Sequence, residues 1–346
     1  MPQSVARYVI AVLGLAVLMI VHETGHFLAA RRFGMRVTHF SIGFGPTLFK
    51  HKPEGSATTY QIGIIPFLAY VRIAGLNPLD ETDADDKESY GNASLWGRIV
   101  TIAAGPLANY VFASVFFFFG FLVGGNEAFD EIRINPTPDG PAAKAGMIDK
   151  DNIKSIDGEK ITDWDHLRRV VSGHPNKELD VEIARDGKAE SVHIKVTPQT
   201  DSKGRVLIQI APRMKIIPVG PKEAAWLALK APPIIVYEQM KGLARVITRA
   251  EKPEFAGPLG ITKGVAAAME TGPGDGLKAL GLISALLGAF NLLPIPALDG
   301  GRLLFLFFEA LSRRRADQKV EATIHAVGLL MFLTLLAFVT YTEIRR

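Results

Sequence analysis

His22, Glu23 and His26 stand in the run HETGH. Two histidines four residues apart share one face of a helix. That spacing lets two imidazoles hold one zinc ion while the glutamate between them points beside an open coordination position. Zinc brings the pKa of its water toward neutrality, and a neighbouring carboxylate can take the proton as attack begins. The pattern fixes only three letters, so its surroundings decide its value. Here it interrupts an apolar stretch, residues 8–30. Ionisable groups inside a membrane span are expensive and therefore functional by default. The bland alternative is a hydrogen-bonded cluster without metal.

Two histidines need a further protein ligand. The chain has no cysteine, which removes disulfides, thiolate metal sites and cysteine nucleophiles. His166, His174 and His193 fall in a polar stretch, His39 and His51 in a loop, and His325 at the start of an apolar segment. The best candidate is Asp299 in NLLPIPALDGG, where Pro and Gly interrupt the end of another apolar run. Irregular backbone at membrane depth is tolerated only where it is buried or lines a cavity. Asp299 as a helix cap before a Gly-Gly turn is the plainer reading. Asn109, in GPLAN, is a polar group at membrane depth that either faces the site or bonds a neighbouring helix.

The elements that must carry these residues follow from composition. The chain has 346 residues, 48% of them hydrophobic, and a mean hydropathy of +0.19. This points to a membrane protein, and a charged fraction of 21% adds a soluble part. The net charge of +4 does not indicate nucleic acid, because the basic clusters flank apolar segments. Four segments read as spans: residues 8–30, 99–123, 277–293 and 324–339. The first is no signal peptide, since it carries His22, Glu23 and His26. Arg31, Arg32 and Arg36 follow span one; Arg313, Arg314, Arg315 and Lys319 lie between spans three and four. Both loops are then cytoplasmic, with both termini and the long stretch between spans two and three outside. Spans one and three run in the same direction, so His22, His26 and Asp299 fall at one depth.

The division of the chain follows: residues 1–126 hold spans one and two, 127–215 a soluble domain, 216–276 amphipathic linker helices, and 277–346 spans three and four. Within the first part, residues 38–75 read as an apolar hairpin turning at residues 52–55, and the acidic patch 80–88 returns the chain to water. In the soluble part, VEIAR and SVHIKV read as strands, Asp157-Gly158 and Asp186-Gly187 as turns, and 163–172 as a helix capped by Asp163 or Thr162. The linker helix is expected to break at Pro232-Pro233 and to lie on the outer membrane surface.

HETGH, GPLAN and NLLPIPALDGG, in this order and on these spans, resemble the signature set of site-2 proteases, in particular the RseP-like bacterial enzymes of peptidase family M50. The similarity extends to the hairpin and to FAGPLGI at 255–261. GPAAKAGMIDKDNIKSIDGEKITDW resembles bacterial PDZ domains, with Lys150 where a glycine is usual, and there is room for one such domain where enterobacterial relatives have two. The resemblance implies a polytopic α-helical membrane protein with four transmembrane helices, a membrane-associated β-hairpin and an inserted α+β PDZ domain. It implies a zinc metalloendopeptidase of the bacterial inner membrane, with His22, His26 and Asp299 as Zn2+ ligands and Glu23 as general base near the cytoplasmic side. Asn291 would bind substrate, with Asn109 beside it, and Gly43 and Gly45 would let an unwound substrate strand pair with the hairpin. The implied substrates are single-span membrane proteins, such as an anti-sigma factor already cut once or a signal-peptide remnant. The implied contacts are membrane lipid, no nucleic acid, and a peptide C-terminus at the PDZ domain. A catalytically silent PDZ membrane scaffold is the alternative from another class, and a transporter a poorer one, for want of inverted repeats.

Overall fold

The computed structural model describes residues 3–65, 69–77, 85–188, 190–201, 204–248 and 257–345. It contains two compact units, one formed by Met1–Gly124 with Val219–Arg346 and one by Gly125–Pro218. Parts of the expected acidic patch and of FAGPLGI lie outside the described residues. In chain order the first unit opens with α1 (Gln3–Arg32), β1 (Val37–Ile42), β2 (Phe44–His51), β3 (Thr59–Ile65), β4 (Tyr70–Ile73) and α2 (Leu95–Gly124). The second unit holds β5 (Asn126–Pro136), α3 (Pro141–Lys144), β6 (Asn152–Ile156), β7 (Glu159–Lys160), α4 (Trp164–Ser172), β8 (Leu179–Ala184), β9 (Val192–Val196), β10 (Gln199–Thr200), β11 (Val206–Leu207) and β12 (Ile210–Ile217). The first unit resumes with α5 (Pro221–Ile247), α6 (Pro258–Thr271), α7 (Pro273–Asn291), α8 (Asp299–Ser312) and α9 (Gln318–Arg345).

Among the described residues three stretches are long and apolar enough to cross a bilayer: Val5–Arg32, Leu95–Gly124 and Lys319–Arg345. They correspond to the first, second and fourth expected spans. Most of the third, residues 277–293, lies in α7, which opens on a Lys278–Asp275 ion pair at 3.1 Å. Its glycines serve packing instead: a Cβ on Gly281 would come within 3.0 Å of the Phe117 ring, and one on Gly288 within 2.6 Å of the Pro106 carbonyl. Helices in lipid gain from such close approach, because apolar side chains win nothing by leaving lipid for each other. α2 thus lies between α1 and α7, and Ser284 donates to the Asn109 carbonyl at 2.7 Å. On the α1 side, a Cβ on Gly25 would come within 2.7 Å of the Ala104 carbonyl carbon.

Two local expectations are corrected. α5 continues through Pro232 and Pro233. Each proline forfeits a backbone hydrogen bond, but Ala228, Ala231 and Ile235 around them pack against Ala113, Phe117 and Phe121 of α2, and that burial keeps the helix whole. The hairpin is a four-stranded sheet in the order β2-β3-β1-β4. β2 and β3 do form the hairpin, but β1 lies parallel to β3 on its other side, and β4 pairs antiparallel with β1. The chain therefore crosses over β3 between β1 and β2. At the crossing, a Cβ on Gly43 would meet the Ile65 carbonyl oxygen at 2.9 Å, and one on Gly63 the Phe44 oxygen at 2.7 Å.

In the second unit, β12, β5, β6, β8 and β9 form an antiparallel sheet in that order, with β7 added on β6. Its α+β core follows from the sequence. Leu179, Val181 and Ile183 alternate inward along β8, Ile194 and Val196 along β9, and α4 contributes Leu167 and Val171 one turn apart. Asp163 caps α4 by accepting the His166 N–H at 2.7 Å, and this bond holds its carboxyl below the usual range. Buried Asp151 accepts from Arg185 and from the Ile148 N–H, closing the turn before β6. Lys150 in that turn has φ of +73°, a conformation that favours the glycine it replaces.

Candidate metal centre

The site is built on two helices that meet face to face. α1 places His22 and His26 one turn apart, both buried. α2 meets them with Thr101, Gly105 and Asn109, again spaced by four along one face. His26 Nδ1 lies 2.8 Å from the Thr101 carbonyl. A carbonyl can only accept, so Nδ1 carries the hydrogen, and in the neutral ring Nε2 then keeps its lone pair. Gly105 makes room for the same ring: a Cβ there would lie 2.6 Å from His26 Cε1 and 2.7 Å from Cδ2. Asn109 is fully buried, and its side-chain amide lies 3.2 Å from His22 Nδ1. Of the two readings of Asn109, the structure places it at the site, against a histidine.

Asp299 arrives from the first turn of α8. Its Oδ2 lies 3.1 Å from His22 Nε2 and 3.3 Å from His26 Nε2, and the two Nε2 atoms are 3.2 Å apart. The N-cap of α8 is Leu298, so Asp299 is the first residue of the helix rather than its cap, and Gly300 and Gly301 continue it instead of turning. There, a Cβ on Gly300 would come within 2.5 Å of the Leu292 carbonyl carbon, so the small residues serve the close return of the preceding loop. Asp299 Oδ2 takes no well-directed hydrogen bond although it is buried. With Nε2 of both rings unprotonated, these three electron-pair donors would repel one another unless a cation joined them. Their separations fit: ligand atoms about 2.0–2.1 Å from a tetrahedral zinc lie about 3.3 Å from one another. Among the described residues this is the one group of three metal-ligating side chains brought together.

Glu23 lies beside the trio, and its Oε2 accepts the backbone N–H of Val71 in β4 at 2.9 Å. Neither Val71 nor Thr101 was singled out in the sequence. Both contribute backbone atoms, which leave no trace in side-chain type. Thr101 and Gly105 had a weak signal, their spacing of four ahead of Asn109. Asn291 ends α7 with its amide donating to its own helix, to the Leu287 carbonyl at 2.9 Å. Gly43 and Gly45 have φ of +89° and +88°, and the approach permitted at Gly43 is taken by the chain's own β3. At Gly43, then, that space is filled by the chain itself.

The Peptidase family M50 profile matches residues 10–335. The chain belongs to peptidase family M50. A Rhizobium meliloti protein named "Putative zinc metalloprotease" is 31% identical, the match covering 95% of this chain and 94% of that one. A Fusobacterium nucleatum protein of the same description is 29% identical over 97% and 98% of the two chains. The regulator of sigma-W protease RasP of Bacillus subtilis is 28% identical over 95% and 96%. The PDZ domain of an SdrC-like protein from Listeria monocytogenes aligns with 25% of this chain at 23% identity and a TM-score of 0.21, too distant a likeness to carry an assignment. The site-2 protease resemblance is thus borne out at the level of the family. The chain is a metalloprotease, and its apolar helices make it a protein of the bacterial inner membrane.

Proposed function

We propose that this chain is a site-2-type zinc endopeptidase that cuts other proteins within or beside their membrane-spanning segments. The observation that carries the reading is the convergence of His22, His26 and Asp299 to 3.1–3.3 Å. His22 and His26 through Nε2, and Asp299 through Oδ2, are the zinc ligands. When bound there, zinc polarises the scissile carbonyl and acidifies a water. Glu23 takes the proton of the attacking water and passes it to the leaving amine, while Val71 N–H fixes one of its oxygens and leaves the other free. Thr101 holds the His26 tautomer. Asn109 does the same for His22: a half-turn of the amide sets its otherwise unpartnered Oδ1 against Nδ1–H.

A transmembrane helix hides its peptide bonds in its own hydrogen bonds, so the substrate must unwind locally. β4 is an edge strand of the sheet, and the same strand holds Glu23, which supports pairing of the unwound segment along β4. Asn291 then holds the substrate near the metal. The arginines at residues 31, 32, 36 and 313–315 support four spans, with α7 as the third, the site toward the cytoplasmic face, and both termini and the insert outside. The insert acts as a PDZ domain. A groove of about 710 Å3 between Leu167 and Val171 of α4 and residues 204–210 suits a peptide C-terminus. The relation to the sigma-W regulator supports single-span substrates of the anti-sigma-factor kind.

The test is cleavage of a purified single-span protein by parent, Glu23→Gln and chelator-treated enzyme, with zinc returned to the last. The two treated forms are expected to be inactive while folded, and zinc should restore the chelated one. A Glu23→Gln enzyme as fast as the parent would favour the silent scaffold.

A further inference from the structure

Asp299 reaches the imidazoles from an irregular stretch, residues 292–298, between α7 and α8. Backbone of this kind among apolar helices needs a partner for every amide. Pro294 and Pro296 have no amide hydrogen. Leu292 donates to Ala289, Leu293 to Phe290, Ile295 to Leu293 and Leu298 to Ile295, all through backbone carbonyls. Ala297 is left over. Its N–H, two residues before Asp299, donates to Nδ1 of His325 in α9 at 3.1 Å.

Ala297 has φ of +80°, where an L side chain is strained and something outside the turn must hold it. α9 is fitted to do so. Gly328, three residues after His325, lies against Pro296, where a Cβ would come within 2.8 Å of the Pro296 carbonyl carbon. The Phe305 ring, from α8, sits 5.8 Å from the imidazole on another side. An imidazole that accepts at Nδ1 carries its hydrogen on Nε2, and His325 Nε2 is buried without a partner. This histidine therefore spends one buried polar atom unbonded in order to offer the other to Ala297.

We propose that His325 is a positioning residue: by accepting the Ala297 N–H it fixes the strained turn that sets Asp299 Oδ2 against His22 and His26. The inference rests on the reading of Asp299 as a zinc ligand, and the experiment separates the two. Detergent-solubilised full-length enzyme is titrated with Zn2+ against a chromophoric chelator, and its Co2+ form is followed by visible absorption. Asp299→Asn comes first; if it binds zinc as the parent does, the ligand reading fails and with it the ground for this one. If Asp299→Asn loses the metal, His325→Leu is expected to bind zinc about 10- to 100-fold more weakly, with a changed Co2+ spectrum. His325→Asn puts Oδ1 where Nδ1 was and should return affinity and spectrum close to the parent. His325→Gln carries its acceptor one bond further out and should resemble the leucine variant. Ala297→Gly, at ease with positive φ, should recover part of the loss in the His325→Leu background. Equal affinity in parent and His325→Leu overturns the proposal. So do equal losses in the asparagine and glutamine variants, and that pair decides the matter if the leucine variant does not fold.

Discussion

Gly105→Ala adds one carbon atom to α2 at the place where His26 has no room for it. The new Cβ would lie 2.6 Å from Cε1 and 2.7 Å from Cδ2 of the ring, whereas ordinary contact begins near 3.4 Å. With Nε2 nearer still, the imidazole must retreat by more than about 0.8 Å, several times the ~0.2 Å that a zinc–nitrogen bond of about 2.0–2.1 Å tolerates. To absorb this the helices would have to open the equally close Gly25–Ala104 contact, one residue away on each helix. The ring cannot swing freely either, since Nδ1 is bonded to the Thr101 carbonyl. The cost therefore falls on the metal. Displacements of about 1 Å at a reacting centre cost on the order of 100-fold in rate, and loss of one of three protein ligands should cost more. Zinc content by elemental analysis, helicity by circular dichroism and cleavage of a single-span substrate should be measured together. We expect normal helicity, zinc well below one equivalent after dialysis, and activity reduced at least 100-fold. Gly264→Ala in α6 is the control, because its Cβ would meet nothing within 4 Å. It should be neutral or stabilise by up to ~1 kcal/mol. A Gly105→Ala enzyme with full zinc and full activity would refute the placement of His26 as a ligand.

Asn109→Leu keeps the bulk of the side chain but removes the acceptor from His22 Nδ1, and should weaken zinc binding by about 10- to 100-fold in chelator competition. Asn109→Asp retains an acceptor there and should hold zinc more tightly than the leucine variant. Val71→Pro deletes the N–H that Glu23 accepts; proline is tolerated on an edge strand such as β4, so zinc content should hold while kcat falls about 10-fold or more in steady-state kinetics.

The converging trio His22, His26 and Asp299 was legible because its chemistry is carried by side-chain type and spacing. HETGH fixes two imidazoles on one helical face, and the absence of cysteine, together with the depth inferred from arginines, singled out Asp299 across 273 positions. The insert was legible for the same reason, since period-two runs such as 179–183 and turn pairs such as Asp157-Gly158 are local signals. Long-range backbone pairing was not. Nothing in residues 38–62 marks β1 as parallel to β3, and adjacency in sequence favours the hairpin that β2 and β3 alone satisfy. Pro232-Pro233 reads as a break by local preference, which burial of α5 against α2 overrides. α7 misled in another way. Its glycines suit it to packing on α2, and they dilute the apolar character by which a span is recognised.

His22, His26, Asp299 and Glu23 are held by different kinds of structure, and under the proposed reading this divides the labour of the site. His22 and His26 are fixed by one helix–helix contact, in which Thr101, Gly105 and Asn109 meet them at the same spacing. A slip of α1 along α2 by one residue, about 1.5 Å, would break the Thr101 and Asn109 contacts together and drive His26 off its glycine, so the two imidazoles move as one or not at all. Asp299 and Glu23 have no such frame. Asp299 stands after a loop tied to α9 through Ala297, and Glu23, although on α1, has its carboxylate held by an edge strand of the sheet. Asp299 and Glu23 can therefore be disturbed separately, each through its own backbone N–H, while the histidine pair stays in place. Loss of the Val71 bond should appear in kcat and loss of the Ala297 bond in zinc affinity. A site held by one undivided frame would show both defects in both variants.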